Sequence, residues 1–186
     1  MVLLVQCSSK IATPPSLPQP TSFLFEPNSL SLALTHSDSS LSFFPSSFPS
    51  FSNPQTLIIP PPCSSSSFLL LKQEQDPINS ERVLFLAAGP HRGSSQVLLR
   101  VYILQRSNLF GKVGVFSNQK GIGFDPKLGV LLDVEHGVSV KVVGSVNFFA
   151  IYCVSSKKVW VFGVKLVVGD NGDDMVKLMR CAVVDC

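Results

Sequence analysis

The chain has 186 residues, with 15 Lys+Arg against 12 Asp+Glu for a formal net charge of +3, and the basic residues are dispersed instead of gathered on a stripe. So weak and scattered a charge gives no footing for nucleic acid or an anionic lipid surface. No apolar run reaches the roughly 18 residues of a spanning helix, because Ser, Pro, Gly or Lys interrupts each one.

Residues 1–71 carry one basic residue, Lys10, and two acids, Glu26 and Asp38, while Ser and Pro recur and are densest at 45–53 and 60–67. Without sustained apolar periodicity such a stretch does not offset the entropy of ordering, so it is predicted to be a largely disordered leader with one strand pair near 30–44. At the amino terminus Lys10 follows the apolar patch instead of preceding it, which argues against a secretory signal. The Ser-rich, acid-poor composition fits a plastid or mitochondrial transit peptide, yet no arginine occurs before Arg82. An untargeted low-complexity leader is the other reading.

From 82 to 186 the text changes to apolar runs divided by Gly, Pro, Asn, Asp and Ser, the grammar of strands and turns. Strands are predicted at 83–88, 97–104, 112–116, 129–134, 138–143, 148–154, 159–168 and 175–184. Turns fall at 89–93, 118–121, 135–137, 155–158 and 170–174, and connections this short pair sequence neighbours antiparallel. The fold class is therefore mainly β, an antiparallel domain over 82–186 behind the leader. The runs Val83-Leu84-Phe85-Leu86-Ala87-Ala88 and Phe148-Phe149-Ala150-Ile151-Tyr152-Cys153-Val154 lack a polar residue at every second position. Both faces of such a sheet should be buried, as in the blades of a propeller, whereas a two-layer sandwich covers only one.

The segment 148–164 closes on Ser-Ser-Lys-Lys-Val-Trp-Val-Phe-Gly-Val and resembles the second and third strands of a WD40 blade, with a small-residue turn leading into a strand that carries a Trp among aliphatic neighbours. Residues 83–104 resemble the same unit with a longer turn, and 32–44 resemble it again around Ser37-Asp38-Ser39-Ser40. The polar markers of the family are missing: no Gly-His pair precedes the blades, and Val161 and Phe162 stand where an Asp would follow the Trp. The resemblance is to a degenerate propeller, with turns roughly 55 to 65 residues apart against a usual period of about 40 to 45. It supplies about two blades and a third in the leader, while closed propellers use four to eight. Together with a last segment that stops inside an apolar run, this leads to the expectation of a truncated propeller fragment.

Such a resemblance implies a non-catalytic scaffold that binds other proteins through its loops, here those carrying His91, Arg92, His136, Lys157 and Lys158. Trp160, Tyr152, Phe148, Phe149 and Phe162 are expected to be structural, inside the core more than at an interface. No catalytic, cofactor or metal constellation emerges. His36, His91 and His136 fall in predicted turns at spacings that do not converge. The acids of 170–174 lack the order of a calcium loop and read as a hairpin turn. Gly111-Lys112-Val113-Gly114 and Gly121-Ile122-Gly123 are only parts of phosphate and dinucleotide fingerprints, with no βαβ context. Cys7, Cys63, Cys153, Cys181 and Cys186 form no close pair and are expected as reduced thiols. The expected setting is intracellular, cytoplasm or nucleus. The alternative is an organelle-targeted small β subunit with a cleaved leader.

Overall fold

A computed structural model of the chain describes residues 18–28, 31–44, 55–72, 81–106, 122–134 and 139–186. The described residues form strands and turns without a helix. Twelve strands occur in order: β1 (Pro20–Phe25), β2 (Leu32–His36), β3 (Ser40–Phe44), β4 (Gln55–Ile58), β5 (Ser65–Lys72), β6 (Glu81–Pro90), β7 (Val97–Arg106), β8 (Ile122–Leu132), β9 (Val140–Gly144), β10 (Phe148–Cys153), β11 (Lys158–Val168) and β12 (Asp174–Asp185). They make three antiparallel sheets of four strands, β1-β2-β3-β4, β5-β6-β7-β8 and β9-β10-β11-β12, each a meander.

The second sheet explains the continuously apolar strands. Along β6, Val83, Phe85 and Ala87 belong to a core shared with Ala33, Leu41 and Phe43 of the first sheet. Leu84, Leu86 and Ala88 belong to the other core, shared with Phe149, Trp160 and Phe162 of the third. Successive side chains of a strand point to opposite faces, so a sheet covered on both sides must be apolar at every position. Across the first interface the Phe43 ring of β3 lies edge-on to Phe68 and Phe124 of the second sheet, with centroids 6.2 and 5.9 Å apart.

Among the described residues only one face of the third sheet is covered, against the expectation from the continuously apolar run 148–154 that both would be. Phe149, Ile151 and Cys153 are buried while Phe148 is 46% exposed, so Phe148, expected inside, lies on the outer face. The hairpin of β10 and β11 pairs Ile151 with Trp160 and Phe149 with Phe162. Its turn occupies 154–157, with Lys157 at a φ of 52°, which leaves Lys158 as the first residue of β11.

The second and third sheets are joined by their first strands. The backbone N–H of Val142 donates to Ser65 Oγ at 3.0 Å and that of Gly144 to Ser67 Oγ at 2.9 Å. Farther along, Leu70 and Val146 form a parallel bridge, Asn147 N–H donates to the Leu70 carbonyl at 2.9 Å, and Lys72 N–H donates to Asn147 Oδ1 at 2.7 Å. Asn147 has a φ of 60°, a left-handed conformation that short polar residues tolerate. Two hydroxyls and one amide therefore do for β5 and β9 what a continuous ladder does within a sheet.

The linker from the first sheet to the second crosses Gly89, where a Cβ would stand 2.7 Å from the Pro62 carbonyl carbon. The Arg100 guanidinium holds this linker by donating to the carbonyls of Pro60 at 2.7 Å, Pro61 at 3.1 Å and Pro62 at 3.4 Å. A planar fork with several donors suits three convergent carbonyls, which a lysine could not reach together.

Several sequence expectations are revised here. Within 1–71 the hairpin near 30–44 exists as β2 and β3, but β1, β4 and β5 are also strands. Phe68 of β5 and Ile59 just after β4 gain burial from Leu41, Phe43, Phe85 and Leu104, while the largely exposed β1 is held by its ladder to β2. A count of local periodicity does not register this. Residues 1–17 and 45–54 lie outside the described residues, as do the strand expected at 112–116 and the turns at 118–121 and 135–137. The strand expected at 129–134 begins earlier, at Ile122, and takes up Pro126 opposite Tyr102 beside a register shift at Val101 and Tyr102.

Candidate interaction surface

Because β5 and β9 run parallel, the β6–β7 turn at 91–96 and the β10–β11 turn at 154–157 share one end of the stack. Ser65, at the start of β5, pairs with Ala88 just before the first turn. Val140, at the start of β9, pairs with Cys153 just before the second. A groove of about 260 Å³ is lined at this end by Ser64, Ser65, Lys141 and Thr21, and it reaches Ser39 of the β2–β3 turn. All three sheets thus contribute the turn between their second and third strands to one surface.

The expected loop residues divide. Arg92 and Lys157 are exposed at this end, on turns of adjacent sheets. His91 is half-buried, its Nδ1 3.1 Å from Ser94 Oγ and its backbone N–H donating to the Gln96 carbonyl at 2.9 Å, so it shapes its own turn. Lys158 is half-buried on β11 instead of in the loop, and His136 lies outside the described residues. His36 is buried within β2 instead of solvated in a turn. Its Nδ1 is 2.8 Å from the Pro18 carbonyl and its Nε2 2.8 Å from Ser42 Oγ. A carbonyl only accepts, so in the neutral ring Nδ1 carries the proton and Nε2 accepts from the Ser42 hydroxyl. Asp38 stabilises the same turn, accepting from Ser40 O–H at 2.6 Å and Ser40 N–H at 2.9 Å, which holds its carboxyl below the usual range.

Of the aromatic residues, Trp160, Phe149 and Phe162 are buried, and the last two stack with centroids 5.0 Å apart and planes 13° from parallel. Tyr152 is half-buried on the outer side of β10. The acids at 170–173 belong to the β11–β12 turn, where Gly172 has a φ of 77° and Gly169 N–H donates to the Asp173 carbonyl at 2.8 Å. Among the described residues no group of three or more His, Cys, Asp or Glu side chains is placed to hold a metal ion.

The opposite end has a second groove of about 360 Å³ lined by Glu81, Arg82, Gln105, Lys127 and Asp174. Its charges are partly matched nearby. Lys72 pairs with Glu81 at 3.2 Å, and Lys127 with Asp125 at 2.9 Å, a hydrogen bond that raises the pKa of the ammonium. Solvent-accessible pairs of this kind, the first exposed and the second half-buried, contribute little.

The described cysteines are all unpaired. Burial pushes the Cys153 thiol up to about 11 and also raises Cys63. Thiolate is the reactive form, so at pH 8 iodoacetamide should alkylate exposed Cys181 and Cys186 and leave Cys153 unmodified in the native chain. Peptide mass spectrometry reads this directly. Equal labelling of Cys153 and Cys181 would show that the face between the second and third sheets opens readily.

Sequence reasoning passed over the residues that join the sheets. Ser65 and Ser67 lie in a run that reads as low complexity, Gly89 reads as the start of a turn, and Gly144 falls just past the strand expected at 138–143. No family model, curated protein or solved structure matches the chain.

Proposed function

We propose that the chain is a non-catalytic protein-interaction module of propeller-like type, a degenerate relative of WD40 blades that acts inside the cell. The observation that carries this reading is the stacking of three successive four-stranded meanders, with the first strands of the second and third side by side and parallel. Propeller blades bury both faces of antiparallel sheets in this way, and they gather corresponding turns at one end, where partners bind. A fold of this kind does not by itself define a function. The non-catalytic reading is supported, among the described residues, by a quieted central thiol, by His36 and His91 engaged in local hydrogen bonds, and by carboxylates paired with lysines. Unpaired thiols suit a reducing compartment.

The test is retention of partners by the tagged full chain and by an Arg92→Glu, Lys157→Glu variant. Both side chains are exposed, so the variant should keep its thermal midpoint. Proteins retained by the wild type should be lost from the variant. An identical retained set from both would remove the loop end as the binding surface.

A further inference from the structure

The uncovered face of the third sheet has an unusual composition. Val143, Phe148, Met175 and Met179 are exposed on it by 62, 46, 51 and 59%. Phe148 and Met179 lean over Gly163, reaching 3.5 and 3.8 Å from where its Cβ would stand. In the midst of these apolar groups Lys165 of β11 stands directly opposite Lys177 of β12, with Val167 paired to Met175 on one side and Gly163 to Met179 on the other. Like charges directly opposite each other destabilise a sheet. Alternation puts Lys141 on the same face, whereas Asp174 and Asp185 pair with Val168 and Lys158 and so fall on the inner side with Val176 and Trp160. Among the described residues neither Lys165 nor Lys177 has an ion-pair partner.

We propose that this face docks a protein partner whose contact surface is apolar and carries a carboxylate over the Lys165 and Lys177 pair. The inference rests on the interaction-module reading and assigns it a second surface with a stated chemistry. The corresponding face of the second sheet, covered by the third, presents Leu84, Leu86, Leu99 and Val101 and no charged group among these core residues. A neighbour that required only another apolar sheet would leave two ammonium groups buried without a counter-charge, which is costly. One carboxylate between them offsets the mutual repulsion and lowers the desolvation cost.

A second copy meeting this face through its own third sheet would add two more lysines, and one meeting it through β1 to β4 would bring no acid. A bilayer fits less well, since the lysines lie between apolar residues on both sides and not along a rim, so headgroups could reach them only where acyl chains would have to meet Met175 and Met179.

The test uses two synthetic peptides that alternate Val with Ser, one with a central Glu and one with Gln in its place, and reads binding to the full chain by fluorescence anisotropy. The Glu peptide should bind about fivefold or more tighter. Lys165→Gln with Lys177→Gln should abolish the difference, and Lys165→Glu with Lys177→Glu should transfer the preference to a Lys peptide. Exposed lysines tolerate these changes, and unchanged thermal unfolding confirms it. Equal binding of the Glu and Gln peptides, or binding of neither, overturns the proposal. So does binding to phosphatidylserine vesicles that the double Gln variant loses, or dimerisation that the same variant abolishes. The Arg92→Glu, Lys157→Glu variant should keep the Glu preference. If retention at the loop end survives while the preference is absent, this inference fails and the broader reading stands.

Discussion

Gly144→Ala should cost about 3 kcal/mol or more, enough to unfold the chain or detach its third sheet, although only one methyl group is added. Gly144 is the last residue of β9, and a Cβ there would stand 2.1 Å from the Phe68 carbonyl oxygen, 2.8 Å from its carbonyl carbon and 3.1 Å from Leu69 Cβ. The obstacle is the backbone of β5, which has no rotamer to escape into. Relief requires β5 and β9 to part, and parting them breaks the hydrogen bonds from Val142 and Gly144 N–H to Ser65 and Ser67 Oγ. Each buried donor left without a partner costs roughly 1 to 3 kcal/mol. Gly129→Ala is the control, because nothing lies within 4 Å of the Cβ it would add on β8. Chemical denaturation should show that change to lie within about 0.5 kcal/mol of wild type. Equal stability of the two variants would mean that β5 and β9 are not in contact.

Trp160→Ala should destabilise by about 3 to 5 kcal/mol, the range for removing a large buried aromatic side chain. Trp160 is 5% exposed in the core between the second and third sheets, paired with Ile151 on one side and Val183 on the other. Ile151 is held by ladders on both sides of β10, so that wall of the cavity cannot collapse cheaply. Trp160→Phe keeps most of the volume and should cost appreciably less. Denaturant midpoints at constant slope measure both. A loss below about 1 kcal/mol for Trp160→Ala would put a different residue at the centre of this interface.

Much of the strand pattern between 82 and 186 was legible because β-branched and aromatic runs are bounded there by Gly, Asn, Asp and Ser turns. Strands β6, β7, β10, β11 and β12 fall close to their predicted bounds. Continuous apolarity in β6 also announced that its sheet is covered on both faces, since period-two alternation leaves no other use for six apolar residues in succession.

The same pattern could not say which face of β10 is inside. Phe148 and Phe149 are chemically identical, and only the position of the second sheet buries one and leaves the other exposed. Nor could composition show that residues 20–72 hold five strands, because Leu41, Phe43 and Ile59 gain their burial from Phe85 and Leu104, which are far away in sequence. The serines of β5 looked like filler until Val142 and Gly144 N–H groups came within reach of them. Local chemistry determined where the chain is extended and where it turns, because those preferences depend on neighbouring residues. Which faces are covered, which hydroxyls join sheets and which lysines stand together was decided by the tertiary structure, since each depends on backbone brought close from many residues away.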